Sequence, residues 1–550
     1  MTWENDLTNY QEKSIAATFV CQLRDLEMQF QDASSLLKML AYLDHESISL
    51  DMLRTGAAAI SELPFPTPLS TASVPHRKPR LLQTVKNKFQ GTHKGKRGAD
   101  PPDRTPIIVS PKMKSLLDLI LSSNNLQSAI TQLQNRCLVK RRQVDGRSSL
   151  WMHDLVQLVI VENTKKSDGG KELFEWAVKF ICTGFQKIED PTAPTSWRQC
   201  EVYIPHIHSL TTRDEISDRA RDWLICTNGA VSSYLLSRGR FNEAQGLLER
   251  LFAEQRRLYG SEHLDVLATM QKLADAYQSK GRYTEAENLY NRVLRSREQQ
   301  LGSHHVDVLN AMNNLAFVYD SQGRYTEAEK LYTRVLRRQK QRLGSDHVDV
   351  LNTMHNRALL HVSQRRHAEA EKLYNHVMHR LEQPFGRGHI RVLATKRGLA
   401  VVYRHTRRYP QAEALFDEVL RYEEDQFGSH DFRTFWTMHH LACIYRDQRR
   451  HEETEVLFRR ILLGGTDDRF GPDHAQMFAN IQVYVSNCHI HGFHGEVEAT
   501  LLEVLAFREK ILGPHHPHTR ETMQLLTVLY KNLDRVEDLQ ALNERLAESV

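Results

Sequence analysis

The chain has 550 residues, 40% hydrophobic and 26% charged, with a formal net charge of +5. That composition supplies material for packed cores, holds no run near 18 uncharged apolar residues that would span a bilayer, and gives no nucleic-acid signal on whole-chain charge. Seven cysteines, scattered and without C-x-x-C, exclude a disulfide framework or a cysteine zinc module and fit a reducing compartment.

The start, Met1-Thr2-Trp3-Glu4, lacks a basic and then apolar leader, so no secretory signal is expected. Residues 14–60 and 113–165 carry helical apolar patterns, including a helix over Leu36–Leu53 marked by Leu36, Leu37, Leu40, Ala41 and Leu43. Between them, Leu63 to Ala99 holds no acid, eight lysines or arginines and five prolines. Such a stretch cannot bury enough apolar surface to fold, so 61–110 is expected to be a disordered basic linker. Its Lys94–Arg97 run has a second reading as a nuclear-import or phosphate-binding patch. Past the linker come Leu126–Leu133, Cys137-Leu-Val-Lys-Arg-Arg, a Val144-Asp-Gly-Arg turn and Leu150-Trp-Met-His-Asp-Leu-Val-Gln157. That order reads helix, strand, hairpin turn at Asp145-Gly146, strand, helix: a small winged-helix-like pattern. Residues 166–215 read as connecting helices.

From 216 to 550 one period governs the chain. Gly260, Gly302, Gly344, Gly386, Gly428, Gly471 and Gly513 stand 42 or 43 residues apart. Leu-Ala-x-x-Tyr recurs at Leu273, Leu315, Leu399 and Leu441, and Gly-Arg-aromatic at Gly239, Gly281 and Gly323, becoming Arg407-Arg408-Tyr409. Each unit predicts two helices. In the unit from Ser303, Leu309, Met312, Leu315, Ala316 and Tyr319 form a helical stripe, and Gly323 ends that helix because glycine takes the left-handed conformation cheaply. A second helix runs from about Thr326 to Gly344, with Ala328, Leu331, Tyr332, Val335 and Leu336 on one face. No unit can bury its faces alone, so about eight pairs must stack into a solenoid.

Leu315, Ala316, Tyr319, Ala328 and Tyr332 stand where the tetratricopeptide repeat has its packing residues, and the chain resembles that family. The 42-residue step with Leu-Gly-x-x-His between units is similar to the kinesin light chain type, with both helices longer than in the 34-residue form. The resemblance implies an all-α fold: a tetratricopeptide-repeat superhelical solenoid with a small N-terminal winged-helix-like module over 1–60 and 111–165. It also implies a concave groove lined by the first helices. In the unit of Leu315 its positions are Asn310, Asn313, Phe317 and Asp320; across units they include Gln271, Asn352, His355, Arg397, Arg404, His439 and Arg446. Amides and imidazoles there suit a peptide backbone, and the three arginines favour an acidic partner.

Of the 28 histidines, His263, His305, His347, His389, His474 and His516 stand three residues after an anchor glycine. Neighbouring units lie about 8–10 Å apart, too far for these rings to share one ion, so they are expected to cap the turn between units, with no metal. Met152-His153-Asp154, within the hairpin block, resembles the MHD motif of the STAND (NB-ARC-type) ATPases, which in fungi are often joined to kinesin-light-chain-like repeats. That resemblance implies a phosphate-sensing ancestry for His153. The glycine-rich loop G-x-x-x-x-G-K-[ST] does not occur, so no nucleotide or other cofactor is expected, and His153 is expected to pack at a helix start.

No G-x-S-x-G, H-E-x-x-H or paired-carboxylate motif occurs, and no enzyme is expected. The function these features imply is a cytoplasmic adaptor that binds a protein or extended peptide in its groove. A truncated STAND-type switch is the alternative, and nucleic-acid binding through the hairpin and basic linker ranks third. Membrane partners are not expected; oligomers and nuclear entry stay open.

Overall fold

The computed structural model describes residues 10–62, 110–144, 146–165, 168–213, 217–464, 481, 482, 485 and 494–548. Residues 63–109 of the basic linker, with Ile216, Gly471 and His474, lie outside the described residues. The chain divides into two compact units, residues 1–189 with 199–227, and residues 190–198 with 228–550.

The first unit holds α1 (Tyr10–Gln29), α2 (Gln31–Leu40), β1 (Ile48–Ser49), α3 (Leu50–Ser61), α4 (Pro111–Leu121), α5 (Ser123–Asn135), β2 (Lys140–Val144), β3 (Arg147–Trp151), α6 (Asp154–Lys165) and α7 (Asp168–Gln186). Leu36, Leu37, Leu40, Ile48, Ile60, Ile120, Ile130 and Leu133 are fully buried and form its core. β2 and β3 pair antiparallel from Lys140↔Trp151 to Val144↔Arg147, and β1 adds to β3 through Ile48↔Leu150. Instead of one helix over Leu36–Leu53, the structure has two helices with β1 between them. Ser49 is extended and its hydroxyl accepts the N–H of Met52 at 3.4 Å, a local helix start that propensity alone hides. The N–H of Asp44, in the break, is taken by Nδ1 of His206 at 3.1 Å. α3 and α7 approach closely because Gly56 has no Cβ; one there would lie 2.5 Å from the Phe180 carbonyl oxygen.

α8 (Pro194–Thr211) and α9 (Asp218–Ser237) divide between the units. The repeats follow: α10 (Phe241–Tyr259), α11 (Leu264–Ser279), α12 (Tyr283–Leu301), α13 (Val306–Ser321), α14 (Tyr325–Leu343), α15 (Val348–Ser363), α16 (His367–Phe385), α17 (Ile390–His405), α18 (Tyr409–Phe427), α19 (Phe432–Asp447), α20 (His451–Gly464), α21 (His494–Leu512), α22 (Pro517–Asn532) and α23 (Val536–Glu548). From α10 to α19, first helices have 16 residues and second helices 19. Ala316 and Ala328 are fully buried against each other's helices, with Tyr332 of the same unit and Leu360 of the next filling the gap.

The turn chemistry repeats with the units. Gly302 and Gly344 end their helices at φ +80 and +85, where a side chain would be strained. Nδ1 of His305 accepts the N–H of Asp307 at 3.2 Å, and His263, His347, His389 and His516 do the same for their own helices. In the remaining described unit Asp431 takes the role, accepting from Arg433 N–H at 3.0 Å.

A column of arginines joins consecutive units. Arg324, Arg408 and Arg450 each lie 4.0–4.1 Å over a tyrosine of the preceding helix (Tyr319, Tyr403, Tyr445). Each also binds a glutamate of the unit before it, Glu287, Glu371 and Glu413, at 2.8–2.9 Å.

The second unit also makes contacts over nearly 200 residues. The buried guanidinium of Arg433 donates to the carbonyl of Ser237 at 3.0 Å while pairing with Asp431 at 2.8 Å. It lies 4.0 Å from the Phe427 ring, itself stacked on Trp197 at 5.7 Å. Arg238 covers the same Trp197 at 4.4 Å.

Candidate functional site

Consecutive first helices (α11, α13, α15, α17 and α19) pack on one another, closer than consecutive second helices do. They therefore line the inner side of the curve, and the groove positions lie on them. Asn310, Asn313, Asn352, His355, Arg397, Arg404, Arg446 and Gln271 are half-buried, and His439 is buried.

Several of these side chains have partners within the chain. Gln271 accepts from Arg297. His355 lies edge-on to Tyr374 at 5.4 Å and 3.4 Å from the Thr395 hydroxyl. Burial, with Arg397 adding to it, pushes its pKa down to about 4, so it stands neutral. Arg397 pairs with the buried Glu423 at 3.1 Å and lies over Trp436. Arg404 meets Asp447 at 3.5 Å and His440 at 3.2 Å, and Arg446 meets Asp447 at 3.0 Å. His439, 3.6 Å from the Cys443 sulfur, is pushed down to about 4 by burial and by Arg404 and Arg446. All three groove arginines therefore face acids of their own chain.

The acidic positions differ between units. Asp275 is bound by Tyr290, by Asn314 Nδ2 at 3.1 Å and by the field of Lys272, yet burial still pushes it up to about 6. Asp320 is also pushed up to about 6 by burial, eased only by Ser363. Lys396, 3% exposed and held by Glu382 at 3.0 Å and Glu418 at 2.9 Å, was not legible as a site residue. Its signal is the column Met270, Met312, Met354, Met438, which Lys396 interrupts.

In the first unit His153 is exposed: its Nδ1 accepts the N–H of Leu155 at 3.2 Å, and its ring lies edge-on to Trp151 at 5.8 Å. It therefore meets one ring at the helix start, as expected, but without being buried, since a capping bond there needs no burial. Lys140 and Arg142 lie over the Trp151 ring beside it, at 5.5 and 4.7 Å. Among the described residues, no group of three or more His, Cys, Asp or Glu side chains is placed to hold a metal ion. Among them, no helix is long and apolar enough to cross a membrane.

Residues 223–299, 300–383 and 391–462 match the model of the tetratricopeptide repeat. The chain carries tetratricopeptide repeats. No curated protein matches it. Among solved structures it is similar to the nearly identical TPR-like repeats of a kinesin light chain kind of protein from Podosopora anserina, at 27% identity and TM-score 0.30, over 37% of this chain and 96% of that one. It is similar also to a STAND protein with a tetratricopeptide repeat sensor from Pyrococcus horikoshii, at 12% identity and TM-score 0.41, over 76% of this chain and 58% of that one. A third is NprR in complex with its cognate peptide NprX, at 12% identity and TM-score 0.40, over 65% and 98%.

Proposed function

We propose that this chain is a non-catalytic scaffold that holds a protein partner or an extended peptide along the inner face of its solenoid. The observation that carries this reading is the run of half-buried polar side chains Asn310, Asn313, Asn352 and His355 on consecutive inner helices. Amides donate and accept, so they can follow both N–H and C=O groups of an extended backbone. Stacked repeats present such a surface by construction. Gln271, Arg397, Arg404, His439 and Arg446 are proposed as the flanking parts of the same groove. An acidic partner loses its support, because the three arginines are already paired. Such a scaffold would act in the cytoplasm, with the basic linker offering entry to the nucleus.

A photo-crosslinking residue placed at Asn310 or Asn352 of the full chain tests this. Capture of partner peptides at those positions, and none at the exposed Lys330 on α14, is expected. Equal capture at both would sink the groove reading.

The second reading, sensor part of a STAND-type ATP-dependent switch, is favoured by the exposure of His153 at the start of α6, where it could meet a nucleotide domain supplied elsewhere. Tighter ATP or ADP binding by an added nucleotide domain with wild type than with His153→Ala would support it; equal binding would remove it.

A further inference from the structure

The column Tyr290, Tyr332, Tyr374 runs through three consecutive units, each ring fully buried, before Phe416 ends it. At its first member the polar atoms are satisfied internally: the Tyr290 hydroxyl meets Asp275 and lies 3.3 Å from Gln278, and Asn314 closes Asp275 from the next unit. One unit on, they are not. The hydroxyls of Tyr332 and Tyr374, Oδ1 of Asp320 and Oδ1 of Asn313 are all buried without a hydrogen-bond partner. Both hydroxyls lie within the electrostatic field of Asp320, and no lysine or arginine among the described residues pairs with it. Arg404, two units further in the same column, is paired.

A half-buried carboxylate eased only by Ser363, with two buried hydroxyls in its field and no cation, is a poor end state beside the preceding unit, where Tyr290 and Asp275 are closed. We infer that Asp320, Tyr332 and Tyr374 form a station for a cationic group of a bound peptide, the ammonium of a lysine or chain terminus or the guanidinium of an arginine, with Asn313 Oδ1 taking a backbone N–H nearby. The inference rests on the groove reading above and reverses the charge that the groove arginines suggested. An ammonium supplies three donors, which matches one carboxylate oxygen and two hydroxyl oxygens. A carboxylate or phosphate would meet repulsion and no donor beyond the phenols.

The test pans a short random-peptide display library against the full-length protein, then compares each selected peptide with its lysine-to-norleucine version. Selected peptides should carry a lysine or arginine at one fixed place. Its replacement should weaken binding to wild type by about tenfold or more, the size of a charge-assisted pair. The same replacement should change binding to Asp320→Asn less than about twofold, since that partner charge is gone. Tyr332→Phe with Tyr374→Phe should lie between, and serves as the readout if Asp320→Asn fails to fold. Peptides that compete at Asn310 yet ignore both changes would overturn the cationic station and leave the groove reading standing. Failure to select any peptide that competes at Asn310 would overturn both, the orphan atoms then binding solvent only.

Discussion

Arg324 Nη1 binds Glu287 at 2.8 Å across the joint between two repeats. The same guanidinium lies 4.0 Å over Tyr319 and also meets Glu327, so one residue ties the turn to itself and to the unit before. An isolated surface pair gives about 0–1 kcal/mol, and a stacked, doubly paired arginine sits at the upper end of that range. In a double-mutant cycle, Arg324→Met with Glu287→Gln should therefore show a coupling of about 1 kcal/mol, shrinking in high salt. Zero coupling in low salt would remove the arginine column as a joint.

The capping histidines give a second expectation. His305→Ala should cost about 1 kcal/mol of stability, because it strips the acceptor from the Asp307 N–H. His305→Asp should restore most of it, since Asp431 already does this work in its own unit. Chemical denaturation of the three proteins decides the point; an alanine variant as stable as wild type removes the capping role.

Ala316 is fully buried against Ala328. Ala316→Arg would force a charge into that contact and should lower stability by several kcal/mol, on the order of the larger core penalties. A melting curve unchanged from wild type would refute the helix register.

Acid should act on the two kinds of buried group in opposite senses. His206, His355 and His439 are held near pKa 4 by burial, below the 6.5 of an exposed histidine. The unfolded chain therefore takes up protons that the folded chain refuses, and their stability, full above 6.5, drains away as pH falls towards 4. Asp320 sits near 6, above its unfolded value of 3.8, so its penalty is present above 6 and is relieved as pH falls through that range. Asp320→Asn should raise stability more at pH 8 than at pH 5, and His206→Gln should flatten the acid limb. Parallel pH–stability curves for wild type and each variant would contradict these assignments.

The helix pairs, their glycine stops and the capping histidines could be read from the sequence because each depends on neighbours a few residues away and recurs every 42 residues. The positions of the inner-helix columns were legible for the same reason: they are fixed offsets on one helix. Pairing was not. Arg324 and Glu287 lie on different helices 37 residues apart, and Arg397 finds Glu423 only after the helices stack. So three arginines looked like a positive surface when each faces an acid. The break at Ser49 escaped because a strand of two residues, Ile48 and Ser49, is stabilised by β3, about a hundred residues later. Asp320 stood in the groove register from the start; what its column could not show is that the tyrosines beside it lack partners.

Arrays of repeats ordinarily tolerate the gain or loss of a unit, because each one touches only the next. The hydrogen bond from Arg433 to the carbonyl of Ser237 breaks that freedom. It spans four complete helix pairs, so the intervening count is gauged: removing or adding 42 residues would carry Arg433 away from its acceptor and from Trp197. A contact of such sequence separation also couples ends that would otherwise fray independently, and the stretch between them should melt as one cooperative block.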